Sequence, residues 1–490
     1  MCQLKTDKTK MLFAKFKRRY FFLLTLVFFS FALFLPFIGH GFIHDDFEHL
    51  GSVVFQTLDI GLTKATGGPF YAPIAWLSFK FDWFLWGSHN AFPFAMTNLT
   101  IHSANIILLY CFVERLWRDE TAARWAVLGF FLLFPANIWA VMWIATRAHL
   151  LTTFFYLAGM LATLWLTRTE RFKMVSALVI VIFATLALFT KESGITMFAT
   201  VFLILIYKKT TGNIRGKLLP AMIVFVLGLL ILFVFYFWMR MQSGAIPITI
   251  GENQWYSYTP SFSLIIRNIG SYGWRTYGIL TLLVLGFCLS LKIGRHKLNF
   301  SLLTKSETLL SLTMFGLMIA PFIMLAGRSG IYTYLPGVAA SILFGATLRS
   351  LNQSHQFLNS SIFSRIPIFV TVIIFISFTI GQSQKWLKMA QTNTEILDQI
   401  INLEPQMPKK TFVVLRYSEI DRINRFPDGL SKTSFSPALQ LKFADPSLTG
   451  VFVKNDDKVV LPNLSSVREF AYTIENGRPK IMRITEFSSK

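Results

Sequence analysis

Eleven long apolar runs leave this chain few folds to choose from. They lie at about 20–38, 95–113, 125–142, 149–166, 174–190, 194–207, 219–239, 274–291, 308–326, 331–348 and 366–382. A helix rising 1.5 Å per residue crosses about 30 Å of hydrocarbon with roughly 20 such residues. Only helices and closed barrels satisfy their backbone inside a bilayer. Composition agrees: 15% of residues are charged, where soluble domains carry about 25%. The expected fold class is an all-α polytopic membrane protein of about 11 transmembrane helices with a small C-terminal extracytoplasmic α/β domain. The pair at 174–190 and 194–207 also fits a broken hairpin.

The net charge of +22 points to topology, not to nucleic acid. Six proposed inner segments (1–19, 114–124, 167–173, 207–217, 292–305 and 349–365) hold 23 Lys and Arg, whereas the outer loops before the C-terminal region hold 8. By the positive-inside rule the N-terminal tail is cytoplasmic. The run from Tyr20 to Ile38 is too long for a signal h-region and has no small-residue cleavage site, so it reads as a retained span. Three scattered cysteines give neither a disulfide framework nor a metal spacing. The expected localisation is the cytoplasmic membrane, multi-pass.

Residues 1–384 read as the transmembrane domain, with an outer first loop at 39–94. Aromatic-rich Phe70 to Trp86 in that loop suits one or two short interfacial helices. Residues 385–490 are polar and mixed, with helical periodicity over Lys385–Leu403 and strand signals at Phe412–Leu415, Gly450–Leu461 and Ala471–Phe487.

The outer loops before the C-terminal region hold few ionisable residues, and these group by type. His44, Asp45, Asp46, Glu48 and His49 form an acidic, histidine-bearing cluster just after the first run. Charge at a bilayer boundary has a desolvation cost, which makes such a cluster a functional-site hypothesis. Later outer loops bring cations: Arg147 with His149, Lys191 beside Glu192, and Arg328 followed by Tyr332 and Tyr334. Carboxylates facing several cations suit an anionic lipid-linked substrate, the cations binding phosphate and a carboxylate serving as general base. Each residue also fits a plainer role. The acidic loop fits a solvated capping turn, and Glu48 a solvated loop residue. Arg147 fits a snorkelling anchor, Lys191-Glu192 a self-paired helix end and Arg328 an interfacial anchor. Asn98, His102 and Asn105 fall on one helical stripe and suit interhelical hydrogen bonds. Lys80 and Asp82 are expected to be solvated.

The order of these features resembles the GT-C superfamily of integral membrane glycosyltransferases. It is similar in detail to the dolichyl-phosphate-mannose-type protein O-mannosyltransferases with TPR tails and their bacterial relatives. The pattern appears as Asp45-Asp46, Tyr71-Ala72-Pro73-Ile74, Gly87, His102-Ser103-Ala104-Asn105, Trp143 to Arg147, Lys191-Glu192 and Arg328 to Pro336. Ala72 stands where the family carries Arg, His149 lies near a position where relatives often carry Asp, and no TPR repeats follow.

The resemblance implies inverting sugar transfer from a polyprenyl-phosphate sugar donor to a glycan, lipid or protein hydroxyl at the outer face of the lipid bilayer. Asp45 or Asp46 would be the base, with a slight preference for Asp45. Arg147, Lys191 and Arg328 would hold the donor phosphate. His44, Glu48, His49, His102, His149, Glu192, Tyr332 and Tyr334 would support the site. Some relatives bind a divalent metal near the acidic motif, where His44 and His49 would be donors, though no spacing demands one. The rivals are an O-antigen-type polymerase or ligase, a lipid-linked sugar transporter and a non-catalytic membrane scaffold. A ligase expects its charges in a late outer loop, and a transporter expects ionisable residues in mid-span.

Overall fold

A computed structural model describes residues 19–39, 41–66, 70–88, 90–131, 136–168, 173–212, 219–245, 257–293, 305–355, 366–417, 430, 434–455, 466–476 and 478–484. The basic tail 1–18 and much of the other basic inner segments lie outside these residues.

Among the described residues the apolar runs fall mainly on helix. The first, α1 (Arg19–Phe37), is long and apolar enough to cross a membrane. The first loop then folds into α2 (Asp46–Phe55), α3 (Leu58–Thr63) and α4 (Pro73–Trp86). Pro73 starts α4, where its missing N–H is one no helix would use. Gly87 ends it at φ +72°, donating its N–H to Trp83 O. The bundle continues through α5 (Phe92–Trp117), α6 (Glu120–Phe131), α7 (Ala136–Met142), α8 (Arg147–Arg168), α9 (Lys173–Thr190), α10 (Met197–Thr210), α11 (Leu219–Gln242), α12 (Phe262–Ile293), α13 (Lys305–Ile323) and α14 (Pro336–His355). Among the described residues, six helices are long and apolar enough to cross a membrane. The peripheral helix α11 is apolar all round and leaves Ile231, Val234 and Met241 exposed to the surroundings, as a lipid-facing helix does.

Three features of the helix order matter for the site. The run at 125–142 falls on two described helices, α6 and α7. Residues 132–135, between these two helices, lie outside the described residues. The break between α9 and α10 is real: Lys191 is extended, and a 3-10 turn spans Glu192–Thr196. Finally, α15 (Ile366–Leu403) runs unbroken across 384/385. Polarity changes there, but helical periodicity does not, so one rod leaves the bundle and enters the C-terminal domain.

That domain adds β1 (Thr411–Tyr417), α16 (Phe435–Phe443), β2 (Thr449–Lys454), β3 (Ser466–Glu475) and β4 (Arg478–Arg483). The sheet order is β2-β1-β3-β4. Central β1 pairs in parallel with β2 and β3, and β4 closes the edge antiparallel to β3. Central β1 is a near-continuous apolar run buried on both faces, as parallel pairing requires. Leu415, Phe435, Leu439, Phe470 and Ile400 fill the core beneath it.

Candidate active site

A cavity of about 960 Å³ opens where α2, the 145 turn, the α9–α10 break, the 330 turn and α15 converge. Its wall includes Asp45, His44, His49, His149, Lys191, Glu192, Arg328 and Tyr332 from the sequence-derived set, and Ala72 as well. Arg147, Asp46, Glu48, His102 and Tyr334 do not line it.

The two adjacent acids have parted roles. Asp46 is the buried one, at 2% exposure. Its Oδ2 accepts from Ile43 N at 3.0 Å and its Oδ1 from Ala145 N at 2.6 Å, which ties the loop to the 145 turn. Burial pushes its pKa up to about 8 against those two donors and the Arg147 charge. Asp45, the N-cap of α2, faces the cavity, and among the described residues no donor or cation pairs with its carboxylate. Burial, helped by nearby Glu48, pushes its pKa up to about 6. A half-buried carboxylate titrating near the working pH is suited to proton transfer. Glu48 points inward, its Oε1 buried and without a hydrogen-bond partner among the described residues.

His44 takes a left-handed backbone, φ +47°. Its ring meets Trp143 and Trp386 edge-on at 5.8 and 6.5 Å. Those two indoles and Trp139 are mutually in contact at 5.8–6.1 Å and form one cavity wall. His49 stacks on Phe79 at 5.5 Å, and burial, with Lys191 and Arg147 nearby, lowers its pKa to about 4, so it stays neutral. His149 packs on Tyr332 and Phe322 at 5.9 and 6.3 Å. Each histidine is thus engaged with an aromatic ring. Among the described residues no group of three His, Cys, Asp or Glu side chains is placed to hold a metal ion.

Arg147 corrects two expectations at once. It neither reaches toward headgroups nor lines the cavity: it is fully buried. It pairs with Asp82 at 2.7 Å and donates to Asn98 Oδ1, Phe94 O and Ser78 O at 2.8, 2.8 and 3.1 Å, its guanidinium lying 4.2 Å from the Phe79 centroid. A planar five-donor fork suits such a clamp. Asp82, expected to be solvated, is 3% exposed because it is this partner. Lys80 is not free either, donating to Val53 O at 2.6 Å and lying over Trp83 at 4.1 Å. His102, Asn105 and Tyr334 form the interhelical contact foreseen for the polar stripe: His102 Nδ1 and Asn105 Nδ2 meet the Tyr334 hydroxyl at 2.7 and 3.2 Å.

The cavity cations are therefore Lys191, Arg328 and two that the sequence reading missed, Lys385 and Lys388 on α15. Lys191 lies over Phe70 at 5.0 Å. It is not self-paired with Glu192, whose carboxylate bonds Arg240 on α11. The change to polar sequence after residue 384 groups Lys385 and Lys388 with the C-terminal domain. Their spacing from Trp386 and Met389 on a continuing helix is the signal that brings them to the same face.

These features define a multi-pass membrane protein with an acid-and-cation cavity at the end from which the C-terminal domain projects. Among solved structures, the chain is similar to ArnT from Cupriavidus metallidurans bound to undecaprenyl phosphate, at 12% identity and a TM-score of 0.53, covering 95% of this chain and 99% of that one. ArnT is a GT-C glycosyltransferase, so the resemblance stated from the sequence holds at the level of fold. A looser match is the Archaeoglobus fulgidus oligosaccharyltransferase in complex with Zn and sulfate, at 11% identity and a TM-score of 0.48, covering 87% of this chain and 62% of that one. No protein-family model and no curated protein matches the chain.

Proposed function

We propose that this chain is a membrane glycosyltransferase, moving a sugar from a polyprenyl-phosphate donor to an acceptor hydroxyl with inversion. The observation that carries the proposal is the Asp45 carboxylate, unpaired among the described residues and facing a cavity shared with Lys191, Arg328, Lys385 and Lys388. The fold likeness to ArnT, itself crystallised with undecaprenyl phosphate, supports a lipid-phosphate donor.

Asp45 takes the proton of the acceptor hydroxyl. The acceptor oxygen attacks sugar C1, and the bond from C1 to the phosphate oxygen breaks with its electron pair leaving on polyprenyl phosphate. The four cations hold the charge that develops there, a preorganised electrostatic role. Lys385 and Lys388 stand in for the family cation that Ala72 removes. Asp46 and Arg147 shape the site from behind. The cavity faces the extracytoplasmic side of the cytoplasmic membrane, and residues 385–490 lie on that side.

The test is release of polyprenyl phosphate from a panel of polyprenyl-phosphate sugars by purified wild type, Asp45→Asn and Asp46→Asn. Turnover by wild type and its loss in Asp45→Asn is the expected result. A wild type that consumes no donor while binding one returns the chain to the scaffold or transporter class.

A further inference from the structure

The loop that presents Asp45 is gripped by the C-terminal domain. Asn393 on α15 donates to Phe42 O at 3.0 Å. Gly41 sits at φ +147°, so close to α15 that a β-carbon there would lie 2.8 Å from Thr394 Oγ1 and 2.9 Å from Ala390 O. Phe47, 5% exposed, inserts into the C-terminal core among Ile396, Leu397, Ile400, Phe435 and Leu439. Helix α16 packs along α2 itself. On its other flank the loop is tied by Asp46 to the 145 turn. Between these grips His44 adopts a left-handed backbone that its β-carbon disfavours, and the next residue is Asp45. A strained conformation of this kind persists only when its surroundings over-determine it.

The grip is fixed in turn. Gln399 on α15 accepts from Ile481 N at 2.7 Å and donates to Pro479 O at 2.8 Å, which locks the helix to the edge of the sheet. The domain therefore reaches the cavity through α15 and through Phe47, both rooted in one core.

We infer that Asn393 and the C-terminal core socket for Phe47 are positioning elements for Asp45, so that the C-terminal domain sets the geometry of the proton-accepting carboxylate. This rests on the assignment of Asp45 above. Asn393 touches neither Asp45 nor the cavity; it acts through the loop backbone.

The experiment compares full-length wild type, Asn393→Ala and Gly41→Ala with a control, Ser311→Ala, which removes a buried bond to Ala339 O within the bundle. Hydrogen–deuterium exchange reads the order of residues 41–49, and polyprenyl-phosphate sugar turnover reads kcat and donor KM separately. Asn393→Ala and Gly41→Ala speed exchange over 41–49 and lower kcat about tenfold with donor KM within about twofold, as a small misplacement of a reacting group does. Ser311→Ala changes neither. Unchanged exchange in both loop variants overturns the inference, as does faster exchange with unchanged kcat in an active enzyme. If wild type turns over no donor, exchange alone decides whether the domain holds the loop, and the failure belongs to the glycosyltransferase assignment.

Discussion

Replacing Asp45 with Asn should cost activity and add stability, and the second effect can be sized from the site. In the unfolded chain an Asp titrates near 3.8, and in the fold burial and Glu48 move Asp45 to about 6. About two pKa units at 1.36 kcal/mol each give an upper bound of roughly 3 kcal/mol. The sign follows from the direction. Below pH 3.8 the carboxyl is protonated in both states and the fold loses nothing. As the pH rises through 6 the folded state must ionise a half-buried group, and stability falls by up to that amount. Asn has no such charge. Asp45→Asn should therefore match wild type at pH 4 and exceed it at pH 8, by a few degrees in thermal unfolding in detergent. Over the same range kcat for donor cleavage should fall about 10²–10⁴-fold, the usual worth of a general base. Wild-type activity should rise with an acid limb near pH 6. An equal stability difference at pH 4 and pH 8 would refute the claim that Asp45 is held against its charge. Retained kcat would refute its role as base.

Removing Arg147 alone leaves Asp82 as a buried unpaired charge, so Arg147→Ala should lose about 3–5 kcal/mol, and adding Asp82→Ala should recover part of it, as read by unfolding of the two variants. Lys385→Ala with Lys388→Ala should raise donor KM about tenfold with kcat near wild type, and the difference should shrink as salt is raised. Tyr334→Phe removes the hydroxyl shared by His102 and Asn105, and should cost roughly 1 kcal/mol of stability with donor kinetics unchanged, because the three residues lie away from the cavity.

The membrane fold was legible because lipid imposes one rule on every span: apolar length on a helical backbone. The acidic loop was legible because charge beside a span is rare enough to stand out. The role of each charge was not, because role depends on what lies across the bundle. Asp45 and Asp46 are adjacent and chemically identical, yet Ala145 N, 99 residues away, takes one and leaves the other facing the cavity. Arg147 and Lys191 look alike as boundary cations, yet Asp82 and Asn98 close around the first. At 384/385 the opposite holds, since one helix crosses the expected boundary. Composition changed there while the helical period did not, and period decides where a rod ends. That continuity has a functional consequence. Lys385, Trp386 and Lys388 belong to the cavity, and Asn393, less than two turns beyond Lys388, holds the loop that presents Asp45. A single helix thus carries cations to the cavity and a clamp to the acidic loop. Substitutions along one face of α15 should separate these two effects, changing donor KM near 385–388 and kcat near 393.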